Sequence, residues 1–170
     1  MTKLSWGALR LHEFNLTVLP SQVSERPLIN YNVHANRLYT VALFDPDAPS
    51  RDQPFLAPWI HWLVVNVPGR DIARGDTIVE YAGPSPPPDT GLHRYIIVVH
   101  EQSHKIPLDR ILAVTPVIPR QSNAGRHKFM IDRFLAHHDA GAKLISTNFF
   151  QAEFEKPSAT IADLDKSKSN

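Results

Sequence analysis

The sequence contains no cysteine, which excludes a disulfide framework, a thiolate nucleophile and a thiolate metal site. It has almost no net charge: 18 lysines and arginines against 17 acids leave +1. That balance gives no case for bulk attraction to nucleic acid or to a membrane surface. No apolar run approaches the roughly 20 residues needed to span a bilayer. A secretory h-region is also missing, because Trp6, Ala8 and Leu9 are interrupted by Gly7 and Arg10. Met1 to His12 carries Lys3 and Arg10 and no acid, but is too short and too poor in Arg and Ser for an organellar presequence. These features fit a cytoplasmic protein, with a mitochondrial one as the alternative.

Glycine is scarce and proline is not: 7 against 15 in 170 residues. Prolines remove backbone donors and punctuate strands, which argues against a long helical bundle. Between them lie short apolar runs rich in β-branched residues. Leu38–Phe44, His61–Val67 and Arg94–His100 read as central strands covered on both faces. Ile29–Val33 and Leu144–Phe154 are weaker strand candidates. Helical spacing predicts one helix over Phe129–His138, capped by Gly141, and a shorter one over Leu108–Ala113 with Pro107 in its first turn. No repeat or linker interrupts the chain. A single β-dominated domain is expected over residues 1–155, followed by a polar tail over 156–170.

Polar groups concentrate in three loops at strand ends. In Asp45-Pro46-Asp47-Ala48-Pro49-Ser50-Arg51, two carboxylates alternate with stiffening prolines. An Asx-type turn explains them, and ligand binding is the alternative. Trp59 and His61 are two residues apart and share a strand face, as do His93 and Tyr95. Gly83-Pro84-Ser85-Pro86-Pro87-Pro88 reads as a rigid loop. Brought together, these loops would offer imidazolium donors for a phosphate and a carboxylate for an attached ammonium. Such a set suits a zwitterionic head group. Ser50 and Ser85 lack a nucleophile-elbow context, and no His-Glu-x-x-His pattern appears. The chain therefore reads as a non-enzyme without cofactor or metal.

Two of these segments, Asp45–Arg51 and Gly91-Leu92-His93-Arg94-Tyr95, resemble the two signatures of phosphatidylethanolamine-binding proteins, also called Raf kinase inhibitor proteins. Trp59-x-His61 followed by Leu63-Val64-Val65-Asn66 falls at that family's spacing, and Pro27 and Phe150-Gln151-Ala152-Glu153-Phe154 also match. The likeness runs from about Leu16 to Phe154. It implies a large central β-sheet packed on a smaller one, with a few peripheral helices. It also implies a pocket for phosphate-like anions and phosphorylethanolamine, lined by Asp45, Trp59, His61, Ala82, Gly83, Ser85, Pro86, His93 and Tyr95. In that pocket His61, His93 and Tyr95 would donate, Trp59 would form an apolar wall, and Asp45 would orient an imidazole or accept from an ammonium.

The sequence departs from the family pattern at Leu56, where a pocket tyrosine is expected, and at Pro58, where a glutamate follows a cis peptide in animal members. No counterpart of the C-terminal helix that closes the mammalian pocket is evident after Phe154, and the N-terminus starts late relative to those members. The resemblance implies a head-group-binding module that modulates a protein partner, with binding that depends on pH near 6 to 7, where histidine titrates. Some family members inhibit serine proteases. The alternative is a structural subunit of a large assembly, such as the mitochondrial ribosome's large subunit, with a vestigial pocket. Only there would nucleic acid be a neighbour.

Overall fold

The computed structural model describes residues 1–34 and 36–156. Of the expected polar tail, everything beyond Lys156 lies outside the described residues. Among the described residues there are nine strands: β1 (Lys3–Trp6), β2 (Leu9–Leu11), β3 (Leu16–Thr17), β4 (Leu28–Asn30), β5 (Leu38–Asp45), β6 (Trp59–Pro68), β7 (Asp76–Val79), β8 (His93–Glu101) and β9 (Lys143–Ala152). Two short helices, α1 (Leu108–Leu112) and α2 (Ile131–His138), accompany them.

The three continuous apolar runs become β5, β6 and β8, which lie side by side in a six-stranded sheet of order β3-β9-β8-β5-β6-β7. Every pairing in it is antiparallel except β3 with β9, which is parallel. Their side chains are buried on both faces because each face has its own cover. On one side Tyr39, Val41, Leu43, Trp62, Tyr95 and Phe150 pack against Leu4, Trp6, Leu11 and Ile29 of a three-stranded sheet, β2-β1-β4. On the other, Ala42, Leu63, Val65 and Val98 meet Ile111 of α1 and Ile131, Phe134 and Leu135 of α2. This is the mainly β, two-sheet arrangement expected from the sequence.

Several boundaries differ from that reading. The stretch Met1–His12 forms β1 and β2, whose alternation is too brief to register as strand in the sequence. The candidate Ile29–Val33 shrinks to β4; Tyr31 is buried but donates its hydroxyl to the Gly69 carbonyl (2.6 Å) outside any strand. Helix α2 begins at Ile131, with Met130 extended as its N-cap, and it ends at His138 with Asp139, not Gly141, as its C-cap. Pro107 stands just before α1, not within it. The Ala57–Pro58 peptide is cis, as the resemblance implied, and so is Ala48–Pro49.

Candidate binding site

Antiparallel pairing places the end of β5, the start of β6 and, one strand over, the start of β8 at one end of the large sheet: Asp45 faces Trp59, and Phe44 faces both Ile60 and Ile96. A cavity of about 420 Å³ opens there. All nine residues named from the sequence line it, joined by Leu56. The segment after β7 is tied to β6 reciprocally: Ala82 N donates to the His61 carbonyl (2.9 Å), and His61 Nδ1 lies 2.8 Å from the Ala82 carbonyl. Gly83 has a packing role behind this wall. A Cβ there would stand 3.0 Å from Ser24 Cα and 3.1 Å from the Val23 carbonyl.

The Asp45–Arg51 loop is built by its own carboxylates. Asp45 Oδ1 accepts from Asp47 N (2.6 Å), an Asx turn. Asp47 is 1% exposed and accepts from Arg94 N, Nε and Nη2 at 2.8, 2.9 and 2.7 Å, pinning the loop to the start of β8. Although burial alone would raise its pKa, the bonds and charge from Arg94 hold Asp47 below the usual carboxylate value. The other oxygen of Asp45 sits 2.7 Å from His93 Nδ1.

The imidazoles do not play the donor roles expected of them. His93 is 1% exposed, and its second nitrogen, Nε2, is 3.0 Å from the Thr90 hydroxyl, which also reaches the Pro87 carbonyl at 2.8 Å. Both ring nitrogens are thus taken by the protein. In His61, Nδ1 donates to the Ala82 carbonyl and only Nε2 is free. Burial, which outweighs the pull of Ala82 and Asp45 toward the charged form, lowers the His61 pKa to about 4. His61 is therefore neutral at the pH where imidazolium donation was anticipated, and it supplies no titration between pH 6 and 7. Tyr95 answers the expectation better. Burial, reinforced by the Asp45 and Asp47 charges, raises its pKa, so the hydroxyl stays protonated. Neither that hydroxyl nor the Trp59 indole N–H has a partner among the described residues.

The depressed His61 pKa has a consequence for stability. The folded form holds the ring neutral down to about pH 4, whereas an unfolded chain protonates near 6.5. The stabilisation is full above pH 6.5 and is lost as pH falls from there toward 4. Urea unfolding at pH 7 and pH 5 should differ by about 2 kcal/mol more in the wild type than in a His61→Gln variant. An equal pH response in the two proteins would refute a buried neutral His61.

One wall was invisible in the sequence. Arg120, Gln121, Asn123 and Arg126 line the cavity from the irregular stretch between α1 and α2. Arg126 is 1% exposed, and every hydrogen bond it makes runs to a backbone carbonyl: those of Ser122, Ile60, His61, Glu80, Pro119 and Arg120. It forms no ion pair among the described residues. A positive charge is thereby fixed beside the cavity without a carboxylate to cancel it directly. No periodicity marks residues 119–128, so only the folded chain reveals this role. Among the described residues no group of three or more potential ligands is arranged to hold a metal ion, and no helix is long and apolar enough to cross a membrane.

Comparison with known proteins agrees with this fold. "Putative odorant-binding protein A5" of Drosophila melanogaster is 38% identical over 141 residues, which is 82% of this chain and 64% of that protein. The chain thus spans somewhat less than two thirds of that relative's length. The solution structure of CG7054 superposes with a TM-score of 0.69 at 34% identity, over 91% of this chain and 84% of that one. Carboxypeptidase Y inhibitor, solved with its cognate proteinase, gives 0.72 at 19% identity over 91% and 83%. The phosphatidylethanolamine-binding protein of Plasmodium vivax gives 0.67 at 19% over 91% and 85%; these last two likenesses concern the fold alone. Residues 12–150 match the model of the phosphatidylethanolamine-binding protein family, and the chain belongs to that family.

Proposed function

We propose that the chain is a non-enzymatic binding module whose cavity takes a small phosphorylated or zwitterionic head group, and that occupancy modulates a protein partner. The observation that carries this reading is the pairing of open donors with fixed charge. Tyr95 and Trp59, whose hydroxyl and indole N–H have no partner among the described residues, line the cavity together with Arg126 and Asp45. Anionic oxygens would take the donors, and an ammonium would lie toward Asp45. His93 has no nitrogen left to act as a general base, because both are already engaged. A relative named as a putative odorant-binding protein is in line with this reading. We place the module in the cytoplasm.

An NMR titration with phosphorylethanolamine tests the proposal. Saturable shifts are expected at the backbone amides of Asp45, His61, Ala82 and Tyr95. Tyr95→Phe, which removes a hydrogen bond to a charged partner, should weaken binding by roughly 10-fold or more. Absence of shifts at millimolar ligand would defeat the binding role and turn attention to an assembly containing the chain.

A further inference from the structure

His61 touches the cavity through one atom whose chemistry is fixed by the atom on the far side of its ring. The Ala82 carbonyl, 2.8 Å from Nδ1, has no hydrogen to give, so Nδ1 must carry the proton. Nε2 has no protein partner, yet it is not among the sealed, unpartnered side-chain atoms, of which His100 Nδ1 is the one found among the described residues. Since His61 lines the cavity, Nε2 is reachable from it.

Nε2 would become a donor only if the ring took a second proton. The groups facing the ring decide against that. From the 119–128 stretch, Arg126 Nη1 bonds the carbonyls of Ile60 and of His61 itself at 3.1 and 3.3 Å, bringing a guanidinium close to the imidazole. From β8 come His93, whose charge when protonated opposes a second cation, and the Tyr95 ring, edge-on at 5.2 Å between centroids. From β5, Asp45 favours the charged ring, but it is already engaged by His93 at 2.7 Å. The ring is 6% exposed, and its desolvation is the largest cause of its lowered pKa.

Resting on the binding reading above, we propose that His61 Nε2 accepts a hydrogen bond from the ligand, so that the cavity selects a singly protonated phosphate monoester over a phosphodiester. A fully ionised phosphate would set an oxygen lone pair against the nitrogen lone pair. A P–OH group instead donates to Nε2, while the other oxygens turn to Tyr95, Trp59 and the Arg126 charge. A diester anion carries one negative charge but no hydrogen to give.

Calorimetric titrations with phosphorylethanolamine and with glycerophosphorylethanolamine, at several pH values between about 5.5 and 7.5, discriminate the outcomes. The monoester's affinity should fall about 10-fold per pH unit above its second pKa of about 6. The diester should bind at least about 10-fold more weakly at the lowest pH and show no such slope. His61→Gln, whose amide can present either a donor or an acceptor, should flatten the monoester's profile. The ¹⁵N shift of Nε2 in the complex should stay that of an unprotonated nitrogen. Equal affinity for the diester, or a flat monoester profile in the wild type, overturns the acceptor role while leaving the binding site standing. If neither compound binds at any pH, the binding reading falls and this proposal with it.

Discussion

Replacing Arg126 with alanine is expected to lower the unfolding free energy by about 4 kcal/mol or more, a loss reserved for substitutions that strand buried polar groups. Six carbonyls converge on this one guanidinium: Ser122 at 2.6, Pro119 at 2.8, Ile60 and Glu80 at 3.1, His61 at 3.3 and Arg120 at 3.4 Å. Ile60 and His61 belong to β6 and Glu80 directly follows β7, so the side chain ties the irregular 119–128 stretch to the sheet. Each carbonyl left unpaired costs about 1–3 kcal/mol, and water entering from the neighbouring cavity will satisfy only some of them. With typical stabilities of about 5–15 kcal/mol, the melting temperature should fall by about 8–16 °C. Arg126→Lys should recover only a minority of the loss, since three hydrogens on one nitrogen cannot span carbonyls held on opposite sides of a planar fork. Urea denaturation checks this. An alanine variant within about 1 kcal/mol of wild type would show that the cage contributes little.

Asn66→Leu should cost about 3–4 kcal/mol without touching ligand binding. Asn66 lies in β6, 5% exposed, with φ at +56°. Its amide donates to Asp76 Oδ2 and the Ile106 carbonyl, both at 2.8 Å, and its oxygen accepts from Gln102 Nε2 at 2.9 Å and Ile106 N at 2.8 Å. Gln102 in turn accepts from Thr40 Oγ1 and Asn66 N. Every member is satisfied, so leucine would leave several buried groups unpaired at once. It would also force a branched side chain into the left-handed region, which asparagine tolerates. Asn66→Gly separates the two causes, because it relieves the backbone but not the network. Glycine should remain at least about 2 kcal/mol less stable than wild type. Since Asn66 sits seven residues along β6 from Trp59, roughly 23 Å away, phosphorylethanolamine affinity should not change. A leucine variant with wild-type stability, or one with wild-type stability and lost binding, would contradict this account.

The parts of the molecule legible in the sequence are those with a local signature. Leu38–Phe44, His61–Val67 and Arg94–His100 announce themselves as buried strands because both faces are covered and the runs are unbroken. The loops around Asp45, Trp59 and His93 are legible because polar residues at strand ends stand out against apolar neighbours. Chemistry set by long-range partners is not legible. Nothing near His61 in the chain indicates that Ala82, twenty-one residues on, will claim its Nδ1, or that Thr90 and Asp45 will occupy both sides of His93. The Arg126 cage escapes for the same reason. Its six acceptors are backbone atoms, which carry no side-chain signal. Short strands such as Lys3–Trp6 and Leu9–Leu11 were missed because three or four residues cannot establish a period.

The parallel pairing of Leu16 with Phe150 and Thr17 with Gln151 also bears on how the protein must be made. Strand β9 lies between β3 and β8, so during synthesis β8 leaves the ribosome well before its outer neighbour exists. Roughly 40 residues separate Glu101 from Lys143, which at 5–20 residues per second is about 2–8 s of translation. Through that interval the nascent chain presents an apolar, unpaired strand edge, the kind of surface that seeds aggregation. Sheets assembled from such distant segments fold in about milliseconds to seconds. Elongation, rather than folding, therefore sets how long the growing polypeptide depends on chaperones to shield it.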